Sequence, residues 1–305
     1  METHVMRDYE LPVYPPTGHG NMYRWYLGFY PESALHHGSR AMAAAELFRS
    51  SAKEAYHYAA VESLQITGKQ RLREAGESAA GCFREGPGSK RLANEYFYFY
   101  CTSIPQAFTA ALDLWPLDKN VPEWKASIKA IADQLLCTAK QNPFRRIPGI
   151  WYTEGHEAYA STGMGAHHSG SPGLLPAGNL PESGEPVMAD YYNFCYNLDL
   201  IAGARFLIKA AKFFDKEEYR ALAQEQIDWI MGVNPWDASN IEGVGYNHPH
   251  RGIFGEFFPP IPQIPGAVYV GFTDRSFDPA LYGNENEYDM PMVGWLLPLL
   301  TEINV

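Results

Sequence analysis

The sequence predicts an all-α protein, and three observations carry that reading. Apolar residues recur at helical spacing along much of the chain, as in Ile128, Ile131 and Leu135. Between the periodic segments stand residues that stop helices, among them Gly68, Gly232 and the pair Asn234-Pro235. No convincing alternation of strands appears, so the apolar faces must be buried helix against helix. The pattern amounts to about eight helices.

Residues 1–38 read as an irregular N-terminal segment. Pro12, Pro15, Pro16, Gly18 and Gly20 break up any helix there, and Tyr23-Arg24-Trp25-Tyr26 can pack the loop against a neighbour. Residues 39–305 are then the helical domain. Ser39 reads as the N-cap of a helix through Ala41 to Phe48. A second helix holds Ala55, Ala59, Ala60 and Leu64 and ends at Gly68, and a third covers roughly Lys69 to Phe83, closed by Gly86-Pro87-Gly88. A fourth begins near Ser89, although its run Tyr96-Phe97-Tyr98-Phe99-Tyr100 could pass for a strand. Helices over Ala107–Leu114 and Val121–Ala139 follow, the latter with Pro122 in its first turn, where proline is tolerated.

Residues 142–188 are rich in Gly, Pro and Ser and read as a long loop, a kind of segment that carries sites more often than core. A long helix runs from about Met188 through Tyr192, Leu198, Ile201 and Leu207 to Ala211, and Asp215 caps the next, which stops at Gly232. Residues 233–284 are the second long loop. Its length inside a compact domain points to function, and it is crowded with Phe, Tyr, His, Arg and carboxylates. The last helix opens after the acidic run that ends at Asp289.

Composition narrows the chemistry. With 24 basic and 35 acidic side chains the formal charge is −11, which argues against nucleic acid or an anionic membrane surface as partner. A neutral or cationic ligand suits it. The 20 tyrosines and 7 tryptophans can serve either as stacking platforms for sugar rings or as ordinary core and surface. Cys82, Cys101, Cys137 and Cys195 have neither metal nor redox spacing and read as free thiols. The histidines include His36-His37, His167-His168 and His248-x-His250, but no His-x-x-x-His pair, so zinc catalysis is not expected. Gly-x-Ser-x-Gly and phosphate-binding glycine loops do not occur. The polar first residues do not read as a signal peptide and no run is long and apolar enough to span a membrane. Location stays open between secreted and cytoplasmic, since a secreted chain with its leader removed would look the same.

The most informative stretch runs from Ile227 to Leu300. In order it offers Gly232-Val233-Asn234-Pro235, Gly243-Val244-Gly245, His248-Pro249-His250-Arg251, Gly266-Ala267-Val268-Tyr269-Val270-Gly271 and Asn284-Glu285-(three residues)-Asp289. This succession resembles the C-terminal part of family 9 glycoside hydrolases, the inverting cellulases and their relatives. The likeness is clear over Ile227 to Leu300 and faint before it, where Ala59 to Gly68 resembles the family's Ala-Ala-x-Glu-Leu-x-x-x-Thr-Gly helix end.

The resemblance implies an (α/α) helical barrel of the six-hairpin toroid type, apparently incomplete, with the long loops at one mouth. It implies a β-linked glucan or oligosaccharide as substrate and Glu285 as the general acid. Asn284 and Asp289 would orient Glu285, His250 and Arg251 would contact sugar hydroxyls, and Tyr246 and His248 stand with them as substrate-binding candidates. The alternatives, read from the residues, are a helix-dipole role for Glu285 and pairing of His250 and Arg251 with Asp274, Asp278 or Glu242. Glu287 and Met290-Pro291 depart from the family pattern.

Inversion also needs a base across the scissile bond. The family's base lies in an N-terminal Asp-Ala-Gly-Asp motif, and no Asp-x-x-Asp motif of that kind occurs here. Three explanations stay open: a base on another chain or segment, a replacement among Glu154, Glu157 and Asp190, or a relative that binds a glycan without cleaving it. No cofactor is implied. A structural calcium, as in some family members, is admitted by loop carboxylates but not by any calcium-loop pattern. An incomplete barrel would expose apolar helix faces, which implies a homo-oligomer or a partner chain that completes it.

Overall fold

The computed structural model describes residues 33–73, 79–84, 86–87, 93, 104–140, 143–147, 149–152, 186–189, 196–249, 263–271, 288 and 290–303. The expected all-α class holds. Among the described residues there are seven helices: α1 (Ala34–Ser51), α2 (Glu54–Lys69), α3 (Ile104–Leu114), α4 (Val121–Ala139), α5 (Tyr196–Phe214), α6 (Glu217–Met231) and α7 (Met290–Glu302). A two-residue connection makes α1 and α2 a helical hairpin, and another joins α5 to α6.

Ser33, not Ser39, caps α1, accepting a hydrogen bond from the His36 amide at 3.4 Å. The expected start falls inside the helix, where Gly38 is a contact residue. A Cβ there would lie 2.9 Å from Ile104 Cγ1, so the missing side chain lets α1 approach α3 at this point. The α1 helix ends on Ala52 in the left-handed region at φ 51°.

No third helix spans Lys69 to Phe83. The chain leaves α2 at Gln70 and later runs back beside itself, with Leu72 N donating to Cys82 O at 2.9 Å and Arg84 N to Gln70 O at 2.9 Å. Arg71 and Phe83 form an antiparallel bridge. Gly81 explains why a helix loses here: a Cβ would come within 2.7 Å of Ala130 O and Ile131 Cα, so the backbone itself presses on α4. Phe83, fully buried, then stacks on Phe108 with centroids 6.1 Å apart. Residues 96–100 lie outside the described residues.

Helix α4 has the expected bounds, and Ile128, Ile131 and Leu135 are buried as its apolar stripe requires. The loop read over 142–188 contains strand β1 (Gly149–Tyr152), paired antiparallel with β2 (Pro186–Ala189) so that Gly149 faces Ala189. Met188 therefore lies in β2, and the helix expected from there begins at Tyr196. Asp215 does not cap α6. It sits in the left-handed region at φ 51°, and Lys216, extended at φ −121°, is the N-cap residue.

Helix α5 is the centre of the fold. From Leu198 to Ala211 it buries Leu200, Ile201, Phe206, Leu207 and Ile208, and it packs against α3, α4, α6 and α7. Arg205 clamps α5 to α7 by donating from Nε and Nη2 to Glu302 at 2.8 and 2.7 Å while lying over the Trp295 ring. Among the described residues, no helix is long and apolar enough to cross a membrane.

Candidate functional site

The site is built on the stop of α6. Gly232 takes φ 128°, where a Cβ would be strained, and its amide reaches back to Trp229 O. Asn234, buried, then uses its whole amide. Nδ2 donates to Trp229 O at 2.8 Å and to Ala238 O at 2.7 Å, and Oδ1 accepts from the amides of Trp236 and Ala238. Asn234→Ala would remove all four of these hydrogen bonds, among them the side-chain partner of the buried Ala238 amide, and is expected to cost about 2 kcal/mol. Urea unfolding checks this, and a loss below about 0.5 kcal/mol would show that the turn holds without it.

The turn delivers the chain to a small ladder. Asn240 N donates to Ile230 O at 2.8 Å, and Ile241 pairs with Val268 in an antiparallel bridge. Glu242 N donates to Ala267 O, Gly266 N to Glu242 O and Tyr269 N to Asn240 O. Asn197, buried at the start of α5, pins the ladder from below. Its backbone N donates to Val270 O at 3.1 Å, and its Nδ2 to Asn240 Oδ1 and Tyr269 O, both at 2.8 Å. A second bridge joins Tyr269 to Tyr288. Segments 239–248, 263–271 and residue 288 thus meet on the end of α5 and α6.

Glu242 lies at that meeting point and is only 4% exposed. Its carboxylate accepts from Tyr269 Oη at 2.5 Å, Gln263 Nε2 at 2.6 Å and Tyr288 Oη at 2.9 Å. Burial pushes its pKa up, but the bonds from Tyr269, Gln263 and Tyr288 and the nearby His248 outweigh burial and hold it below the ordinary glutamate value. Burial, then the bond to Glu242, pushes Tyr269 far up, and burial also raises Tyr288. Both hydroxyls therefore stay protonated donors to a charged acceptor at neutral pH.

Two of the sequence-predicted site residues fall within the described residues. Tyr246 is largely exposed and its hydroxyl donates to Asp237. His248 is half-buried, with Nδ1 3.3 Å from Ser239 O. Glu285, His250, Arg251, Asp289, Glu154, Glu157 and Asp190 lie outside the described residues, as do Asp274 and Asp278. Sequence reasoning treated Glu242 only as a pairing partner and passed over Asn197, Gln263, Tyr269 and Tyr288. A lone carboxylate directly before the Gly243-Val244-Gly245 pair was the available signal. Cys137 is a free thiol, and the Cys82 thiol donates to Gln134 Oε1 at 3.6 Å. Among the described residues no three His, Cys, Asp or Glu side chains stand together to hold a metal ion.

Several solved structures resemble the chain. They include the cellulase Cel9M of C. cellulolyticum (15% identity, 87% of this chain and 49% of that one, TM-score 0.49) and a Bacteroides ovatus GH9 protein (17%, 86% and 39%, TM-score 0.47). A third is the endoglucanase CelQ from Clostridium thermocellum complexed with cellotriose (13%, 88% and 48%, TM-score 0.40). The chain spans about half of their length or less, and at these TM-scores they add nothing to the assignment. No curated protein matches. The sequence model of glycosyl hydrolase family 9 matches residues 23–253, well over half of the 305 residues. That match runs through the helices where the motif likeness is faint, takes in the motifs from Gly232 to Arg251 and stops before residues 266–271 and 284–289. Helical hairpins agree with both, and the chain belongs to glycosyl hydrolase family 9.

Proposed function

We propose that this chain acts on a β-linked glucan or oligosaccharide by single-step inverting hydrolysis, with Glu285 as general acid. The observation that carries the reading is the family match over residues 23–253, continued by the ordered motifs through Asn284-Glu285 and Asp289. In this chemistry the acid protonates the leaving oxygen while a carboxylate about 6.5–9.5 Å away activates water on the opposite face of the sugar. His248, His250, Arg251, Tyr246 and Asp289 are the proposed binding residues beside it. Glu154, Glu157 and Asp190 are the candidates for the base. Buried Glu242, bonded to three donors, is a poor choice for that role, since a base must reach a water in the cleft.

The lack of an Asp-x-x-Asp motif favours a second reading, a relative that binds glycan without cleaving it or that needs a partner chain for its base. The test is hydrolysis of soluble β-glucans and aryl glycosides by the purified chain, with the anomer of the first product followed by NMR. Release of the inverted anomer is the expected result. Oligosaccharide binding without hydrolysis of any substrate would replace the first reading with the second. A retained anomer would reject inversion.

A further inference from the structure

We propose that Glu242 is a positioning residue that anchors Tyr288, and through it the acid-bearing segment, to the loop that carries His248. The proposal rests on the reading of Glu285 as the acid. Three chain segments that are remote in sequence converge on this one carboxylate: its own loop 239–248, residues 263–271 through Gln263 and Tyr269, and Tyr288. Tyr288 is held twice, by its hydroxyl on Glu242 Oε2 at 2.9 Å and by its backbone bridge to Tyr269, whose ring lies 5.0 Å from its own.

Tyr288 follows Glu285 by three residues, at most about 10 Å of extended chain. Fixing it therefore limits where the acid can reach. Apolar contacts could join the same loops without the cost of burying a charge. The carboxylate adds direction, because charge-assisted hydrogen bonds are short and angle-dependent, so each hydroxyl has one place to sit. Direction matters in a site where a misplacement of about 1 Å can cost about 100-fold in rate.

Glu242→Gln and Tyr288→Phe, singly and together, test the anchor, with hydrogen exchange and steady-state kinetics on a soluble β-glucan as readouts. Tyr288→Phe removes one hydroxyl from a half-buried ring and serves if Glu242→Gln fails to fold. Exchange in peptides covering residues 284–289 should rise about tenfold in each variant, with α1 and α2 unchanged. The kcat value should fall about 10- to 100-fold with KM within about twofold, as expected when geometry and not binding is lost. The double variant should be no worse than about twofold below the poorer single one, because both break the same contact. Unchanged exchange at 284–289, an equal rise throughout the chain, or single effects that multiply would each overturn the anchor. A local rise in exchange with no hydrolysis by the unaltered chain would keep the anchor and reject the activity reading.

Discussion

Glu285→Gln is expected to lower β-glucan hydrolysis by about 10²- to 10⁴-fold, the range a general acid contributes. Glutamine matches glutamate in shape and can still accept and donate hydrogen bonds, so substrate affinity should hardly change. What it lacks is a transferable proton for the departing sugar oxygen. The loss should accordingly be smaller on aryl glycosides with an acidic phenol, whose leaving oxygen needs no proton. The rival role for Glu285, a carboxylate that favours a helix N-terminus, makes the opposite forecast: lost stability and no dependence on the leaving group. Helix α7 begins at Met290, five residues beyond Glu285, and has no acidic residue in its first turn, which weakens that rival. Thermal stability should therefore stay within about 0.5 kcal/mol of the parent chain. Initial rates on both substrate types, paired with melting curves, separate the two roles. A lowered melting temperature with equal loss on both substrates would sink the acid assignment.

What the sequence revealed and what it concealed divide along the line between local and remote forces. Helix α4 was legible to the residue because Pro122 marks its start and Ile128, Ile131 and Leu135 form one stripe. The stop of α6 was legible too, since Gly232 and Asn234-Pro235 act within a few residues of themselves. Gly38 and Gly81 misled because their reason lies elsewhere in the chain: one admits Ile104 of α3, the other the backbone of α4. Nothing in the sequence around them shows these contacts, and Gly81 falls inside the helix expected over Lys69 to Phe83. The β1–β2 pair escaped for a related reason, as strand pairing depends on a partner that short-range pattern does not display. In the candidate site, motifs pointed to His248 and to Glu285, whose roles are proposals. The meeting of Tyr269 and Tyr288 on Glu242 stayed hidden, because tyrosine hydroxyls meeting one carboxylate leave no spacing in the chain.

Phe108→Ala is expected to cost about 3–5 kcal/mol, the largest stability effect of any single change proposed. Phe108 lies in α3, which is buried from Ile104 to Leu112 and packs against α1, α2, α4 and α5. Its ring is fully buried and stacks on Phe83, so truncation removes transfer energy and an aromatic contact together. The size of the loss depends on whether the walls can close on the cavity. Gly81, two residues before Phe83, is already pressed against Ala130 and Ile131, so the segment carrying Phe83 has little room to shift. Ile128→Val, which deletes one methylene from an equally buried position on α4, should cost only about 0.5–1.5 kcal/mol and calibrates the measurement. Guanidinium unfolding of both variants at equal m-value gives the comparison. A Phe108→Ala loss no larger than that of Ile128→Val would mean that the Phe83 segment collapses into the space. The close approach of Gly81 to α4 would then not be the rigid contact that displaced the expected third helix.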